Sequence, residues 1–160
     1  MTVQIDLEYL TDVLVRLLRT PSPTGNTGAA IAVAQEAFEA LGLSCQRTNK
    51  GALRVTMPGR SESRPRALSG HVDTLGAMVS EIKKDGRLRL TQLGGYAWQT
   101  VDGEYCQVET ADGQIYTGTV LGHKTAVHTY TRDEINGSRN AKDIEVRLDA
   151  RTTSKKETAE

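Results

Sequence analysis

A histidine and an aspartate two residues apart, His71 and Asp73, stand in the stretch Arg66-Ala-Leu-Ser-Gly-His-Val-Asp-Thr-Leu-Gly76. Side chains at i and i+2 of an extended segment point to the same side, so the imidazole and the carboxylate can serve one site. A neutral imidazole nitrogen is a ligand for zinc or cobalt, and a carboxylate on the other ring N–H fixes the tautomer and raises the basicity of that ligand. Asp73 could also ligate directly. Ala67 and Leu68 read as a short buried strand, which would put the pair just past a strand's carboxyl end, where open α/β sheets gather their functional groups. A His-x-Asp tripeptide also describes an ordinary surface hydrogen bond at a strand end, so the surroundings have to decide.

No second site of comparable promise stands elsewhere. His123 and His128 are five residues apart, which matches neither i, i+4 on a helix nor i, i+2 on a strand, and a structural role is the expectation for both. The stretch from Gly25 to Gly28 lacks the Gly-Lys-Ser/Thr ending of a phosphate loop and follows a helix rather than a strand. Cys45 and Cys106 have no CxxC spacing and read as packing residues of a reduced protein.

The elements that must position the pair can be read from periodicity. Leu7, Leu10, Val13, Leu14, Leu17 and Leu18 recur at helical spacing, with Asp6 as N-cap and Pro21 and Pro23 as the stop. A second helix, capped by Asn26 or Thr27, would bury Ile31, Ala34, Ala37, Phe38 and Leu41 and end at Gly42. Residues 43–47 and 53–57 alternate as a strand pair, and 60–66 form a polar connection in which Glu62 interrupts three arginines. After Gly76 the period becomes that of strands: 78–82, 87–93, 105–110 and 114–120, with hairpin signals at Asp85-Gly86 and Asp112-Gly113. The expectation is a small β-rich sheet or barrel beginning at residue 77. The tyrosines and the tryptophan all fall in this second part except Tyr9, as core or subunit contacts. Residues 144–149 alternate like another strand, and Ser154-x-x-Glu157 is a capping box that opens a helix only three residues before Glu160. A helix so short is marginal, and the reading is that these 160 residues are the N-terminal portion of a longer protein.

Twenty basic residues balance twenty acidic ones, so nothing supplies the positive stripe that nucleic acid or an anionic membrane surface would need. No apolar run approaches the ~18 residues of a membrane span, and acids at Asp6, Glu8 and Asp12 break any signal-peptide core. A soluble, cytoplasmic protein with no nucleic-acid or membrane partner is expected.

Taken in order, Ser22-Pro-Thr-Gly25 after a leading helix, His71-Val-Asp73-Thr-Leu-Gly76-Ala-Met-Val79, Leu93-Gly-Gly95, Tyr116-x-Gly118-x-Val120-x-Gly122, and Leu148-Asp149 before Ser154-Lys-Lys-Glu157 resemble the opening half of the tetrahedral aminopeptidases. That family includes glutamyl and deblocking aminopeptidases, and some members once carried a cellulase label. The resemblance implies an α/β fold: the start of a zinc-exopeptidase-like catalytic domain, interrupted by a β-rich, barrel-like dimerisation domain. The divisions would be 1–76 in the catalytic domain, 77–145 in the dimerisation domain and 146–160 returning to the first. It implies two divalent metal ions, zinc or cobalt, short peptide substrates and a homo-oligomer. His71 matches the family's first metal-ligand histidine, and Asp73 the catalytic carboxylate that orients it. His128 resembles a histidine near the family's dimerisation domain. No Asp-Asp or Glu-Glu dipeptide occurs, so the bridging aspartate, the general-base glutamate pair, a further acidic ligand and the closing histidine are absent and are expected beyond Glu160. Thr74 stands where many members have Glu, a position that is not a ligand. A non-catalytic interaction module built on the β domain is the alternative. A glycosidase is a weaker one, since no aromatic sugar platform accompanies a paired acid.

Overall fold

The computed structural model describes residues 4–61 and 63–160, so Glu62 lies outside the described residues. The chain separates into two compact units, Met1–Gly76 and Ala77–Glu160.

The first unit carries two helices and a strand pair. Helix α1 (Leu7–Arg19) starts where Asp6 accepts a hydrogen bond from the Tyr9 N–H at 3.0 Å, and it stops at an extended Thr20 before the prolines. Helix α2 (Gly28–Ala40) is followed by Gly42 at φ +77°, the left-handed conformation that glycine adopts without a Cβ penalty. An Arg16–Glu36 ion pair of 2.9 Å joins the two helices. Strands β1 (Cys45–Arg47) and β2 (Leu53–Val55) pair antiparallel across a turn at Gly51.

The apolar helix faces are less covered than their pattern suggests. Val13 and Leu17 are half-buried, but no residue of α1 is buried and Leu7, Leu10, Leu14 and Leu18 are exposed. On α2, Ala30 is fully buried while Phe38 and the following Leu41 are exposed. An amphipathic stripe declares which side seeks a partner, and α1, α2 and a two-stranded ribbon offer one another too little surface to cover it.

The second unit is built on a curled five-stranded sheet in the order β3-β4-β7-β6-β5. Its strands are β3 (Gly76–Ile82), β4 (Leu88–Leu93), β5 (Tyr105–Glu109), β6 (Ile115–Gly122) and β7 (Ile144–Leu148). The β3–β4 and β5–β6 hairpins turn at Gly86 (φ +80°) and Gly113 (φ +83°), each preceded by aspartate. Strand β7 fills the centre, with Leu88 opposite Val146 on one side and Val120 opposite Val146 on the other. Leu88, Leu90, Trp98, Val120, Ile144 and Val146 form the core, and Tyr96 meets Trp98 edge-to-face at 5.4 Å. Full burial of an aliphatic side chain contributes about 1.5–3 kcal/mol, which makes Ile144 and Val146 the principal anchors. Tyr105 and Tyr116 lie outside this core and are exposed.

A helical turn, α3 (Arg132–Asn136), is closed by a Thr131–Glu134 capping box. The last helix, α4 (Lys155–Ala159), is capped by the Ser154 side chain, which accepts from Glu157 N. Residues 146–160 lie in the second unit. Strand β7 is central to its sheet, and α4 is tied to the β3–β4 hairpin by Lys155 N to Lys84 O (3.2 Å) and Thr158 Oγ1 to Gly86 O (3.1 Å). Among the described residues, no helix is long and apolar enough to cross a membrane.

Candidate functional site

The segment leading to His71 is not the buried strand that Ala67 and Leu68 suggest. Residues 65–73 join no strand, and Leu68 is fully exposed. A strand exists only where a neighbour accepts its backbone groups, and among the described residues the first ladder contact comes at Thr74, in a parallel bridge with Pro23. Thr74 N donates to Ser22 O at 2.8 Å. Pro21 and Pro23 are responsible: they end α1 and hold the chain extended, so residues 22–24 run beside the segment that carries the His-x-Asp pair. Asn26 N then closes a turn onto Pro23 O at 2.8 Å through Gly25 (φ +95°).

His71 and Asp73 are brought together. His71 Nδ1 lies 2.8 Å from Asp73 Oδ1, and Thr24 Oγ1 donates to Asp73 Oδ2 at 3.1 Å. The Thr24 hydroxyl above all holds the Asp73 carboxyl below its usual range; desolvation pushes the other way, and the bond and charge of the His71 imidazole add to the lowering. The charged carboxylate favours the tautomer with its proton on Nδ1, and the lone pair of Nε2 is left available on a ring that is 82% exposed. This donor set fits a metal ligand with its orienting carboxylate. The pair does not make a coordination shell by itself: among the described residues, no group of three or more His, Cys, Asp or Glu side chains could hold an ion. Thr24 was not singled out from sequence. Its signal was the Ser22-Pro-Thr-Gly25 stretch, which has no chemistry of its own until the fold sets it against Asp73.

His123 and His128 belong to the second unit. His128 is exposed in a turn, whereas His123 faces the buried Glu145, with Nε2 2.7 Å from Oε2 but outside hydrogen-bond geometry. Glu145 also accepts from Lys83 and Arg87. Burial pushes this carboxyl up, but the bonds from Lys83 and Arg87, with the positive field of His123 and Lys83, outweigh it and leave a net shift downward. Periodicity gave no warning of the cluster. Glu145 alternates with Ile144 and Val146 on a strand covered on both faces, and of its three partners Lys83 and Arg87 come from the turn between β3 and β4 and His123 directly follows β6. Cys45 and Cys106 are free and half-buried, and desolvation pushes both thiols up, as suits packing residues rather than nucleophiles.

Comparison with known proteins follows the same lines. The family model of the M42 glutamyl aminopeptidases matches residues 51–160. The Bacillus subtilis (strain 168) protein YhfE, assigned by its name as an aminopeptidase, is 46% identical over 149 residues, which cover 93% of this chain and 43% of YhfE. Among solved structures, the TET aminopeptidase of the marine sediment archaeon Thaumarchaeota archaeon SCGC AB-539-E09 superposes with a TM-score of 0.79 at 25% identity, over 95% of this chain and 41% of that one. The TET1 peptidase of Pyrococcus horikoshii, described as assembling into a tetrahedron or a large octahedral shell, shares the fold with a TM-score of 0.67 at 18% identity, over 94% of this chain and 43% of its own. The chain thus spans less than half the length of the relatives it matches. A family match over most of the residues, agreeing with the close relative and with the fold, leads to one assignment: the chain belongs to the M42 glutamyl aminopeptidase family.

Proposed function

We propose that the protein carrying this chain is a metal-dependent aminopeptidase that releases N-terminal residues from short peptides, with His71 as a metal ligand and Asp73 as the carboxylate that orients it. The observation that carries this reading is the Asp73-held His71 imidazole, with Nε2 left available, in a chain of the M42 family. Two divalent ions, zinc or cobalt, would supply polarisation of the scissile carbonyl and a water of lowered pKa. This chain's own share is to present Nε2 at a fixed angle and to keep the proton on Nδ1, where Asp73 accepts it. Residues 1–76 would form part of the catalytic domain, 77–145 a β-rich dimerisation domain, and 146–160 the way back. A homo-oligomer, which the assembly of the Pyrococcus relative supports, and a cytoplasmic location complete the proposal.

Metal content and turnover, measured together in the intact protein, test it. His71→Ala should lose a ligand, metal and nearly all peptide cleavage. Asp73→Asn should lose roughly 10- to 100-fold in affinity or activity, the usual cost of a lost ligand-orienting partner. Full metal content and unchanged cleavage in His71→Ala would overturn the assignment and favour an interaction module built on the second unit.

A further inference from the structure

We infer that Thr24 is a positioning residue for His71, acting through Asp73: its hydroxyl holds the second oxygen of the carboxylate whose first oxygen holds the imidazole. The inference rests on the reading of His71 as a metal ligand and extends it to a residue on a different segment of the chain. Asp73 Oδ1 is 2.8 Å from His71 Nδ1, and Asp73 Oδ2 receives the Thr24 hydroxyl at 3.1 Å. A carboxylate tied at one oxygen still turns about its terminal bond, because a torsion between a tetrahedral and a planar carbon has broad minima. Tied at both oxygens from different segments, its plane is set, and the direction of the His71 ring is set with it.

Three further features show that the approach of Thr24 is built into the backbone. Thr74 N donates to Ser22 O at 2.8 Å, and Pro23 bridges Thr74 in parallel register, so residues 22–24 are clamped alongside 73–74. Ser22 is completely buried, which anchors the clamp at its start. A Cβ at Gly76 would lie 2.9 Å from Pro23 Cβ, closer than two carbons can pack, so the glycine is what lets the two segments come this near. Thr24 itself is exposed, so burial does not dictate the residue at this position, and the hydroxyl is the part of the side chain that touches the pair. The chain thus presents an ordered relay: backbone clamp, Thr24 hydroxyl, Asp73 carboxylate, His71 Nδ1, leaving Nε2 for the ion.

The test uses the intact protein stripped of metal and titrated with zinc against a competing chelator, beside ¹⁵N spectra of the His71 ring in the metal-free state. Thr24→Val keeps the side-chain shape and removes the donor. It should weaken zinc binding on the order of 3- to 10-fold, less than loss of the directly bonded Asp73 partner, and should shift the ring nitrogens away from the pure Nδ1–H tautomer. Thr24→Ser, which restores the hydroxyl, should return both readings to wild type. In an Asp73→Ala background, Thr24→Val should change nothing further, because its route to the metal is gone. Gly76→Ala keeps the hydroxyl but displaces the clamp, and it should reproduce the weakening, so the inference stays testable if Thr24→Val fails to fold. Wild-type zinc affinity and ring shifts in Thr24→Val, with His71→Ala still abolishing binding, would overturn the role of Thr24 and leave the proposed function standing. Wild-type affinity in His71→Ala would overturn both.

Discussion

Glu145→Gln is the sharpest test of how the second unit is held together. Glu145 is 3% exposed and accepts from Lys83 and Arg87 while His123 faces it. Removing one partner of a fully buried pair costs about 3–5 kcal/mol, because the other charge is left uncompensated. Here the cations keep some access to water, Lys83 at 23% and Arg87 at 43% side-chain exposure, and glutamine retains an acceptor oxygen. The cost should therefore fall below that range, at about 2 kcal/mol. For a unit of this size each kcal/mol moves the midpoint by about 4–8 °C, so the melt should fall by roughly 8–16 °C. The chain's single tryptophan, Trp98, lies in the same core and reports this transition by fluorescence. The pH dependence adds a second check. Glu145 has a folded pKa below its reference value of 4.5, so the unfolded state takes up the proton first. Its stabilisation is complete above the unfolded value and is lost as pH falls through the folded one. Wild type and Glu145→Gln should differ at neutral pH and converge in acid. Equal melts at pH 7, or a gap that persists below the folded pKa, would refute the reasoning.

Gly118→Ala should loosen β6 from β7, because a Cβ there would lie 2.7 Å from Arg147 O and 3.0 Å from Val146 Cγ1. Overpacking of this kind costs about 1–3 kcal/mol, and the Trp98 melt should show it; an unchanged midpoint would mean that the strands can part freely. Expressed by itself, the 160-residue chain should bind a hydrophobic dye through α1, with Leu10→Gln plus Leu14→Gln lowering the signal, since both leucines are 48% exposed. A dye-free, monodisperse wild-type monomer would count against that. Zinc calorimetry on the same chain should reveal no tight site dependent on His71, because one imidazole and its orienting carboxylate cannot close a shell. A submicromolar, His71-dependent site would show that ligands had been overlooked.

Local signals were enough to read α1, α2, α4 and the hairpins of this chain, while the Thr131–Glu134 capping box that opens α3 went unread. Asp6 before an apolar stripe, two prolines after it, and Asp-Gly pairs between alternating runs act within a few residues of themselves, so no tertiary information is needed to interpret them. The proximity of His71 to Asp73 was legible for the same reason: i and i+2 share a side in any extended chain. What escaped the sequence depends on residues far apart in it. Leu68 looked buried because apolar residues usually are, yet burial requires a covering neighbour, and a pattern names only the side that wants one. Glu145 looked like an outward-facing position of an alternating strand until β7 took the centre of the sheet and was covered on both faces. Thr24 stands 49 residues from Asp73, and only the parallel bridge between Pro23 and Thr74 sets its hydroxyl against that carboxylate. Sequence alone thus determined most of the local elements and the side-by-side placement of His71 and Asp73, because both arise from neighbouring residues; tertiary structure decided which groups surround the charges, because a charge is paired by whatever the fold brings to it.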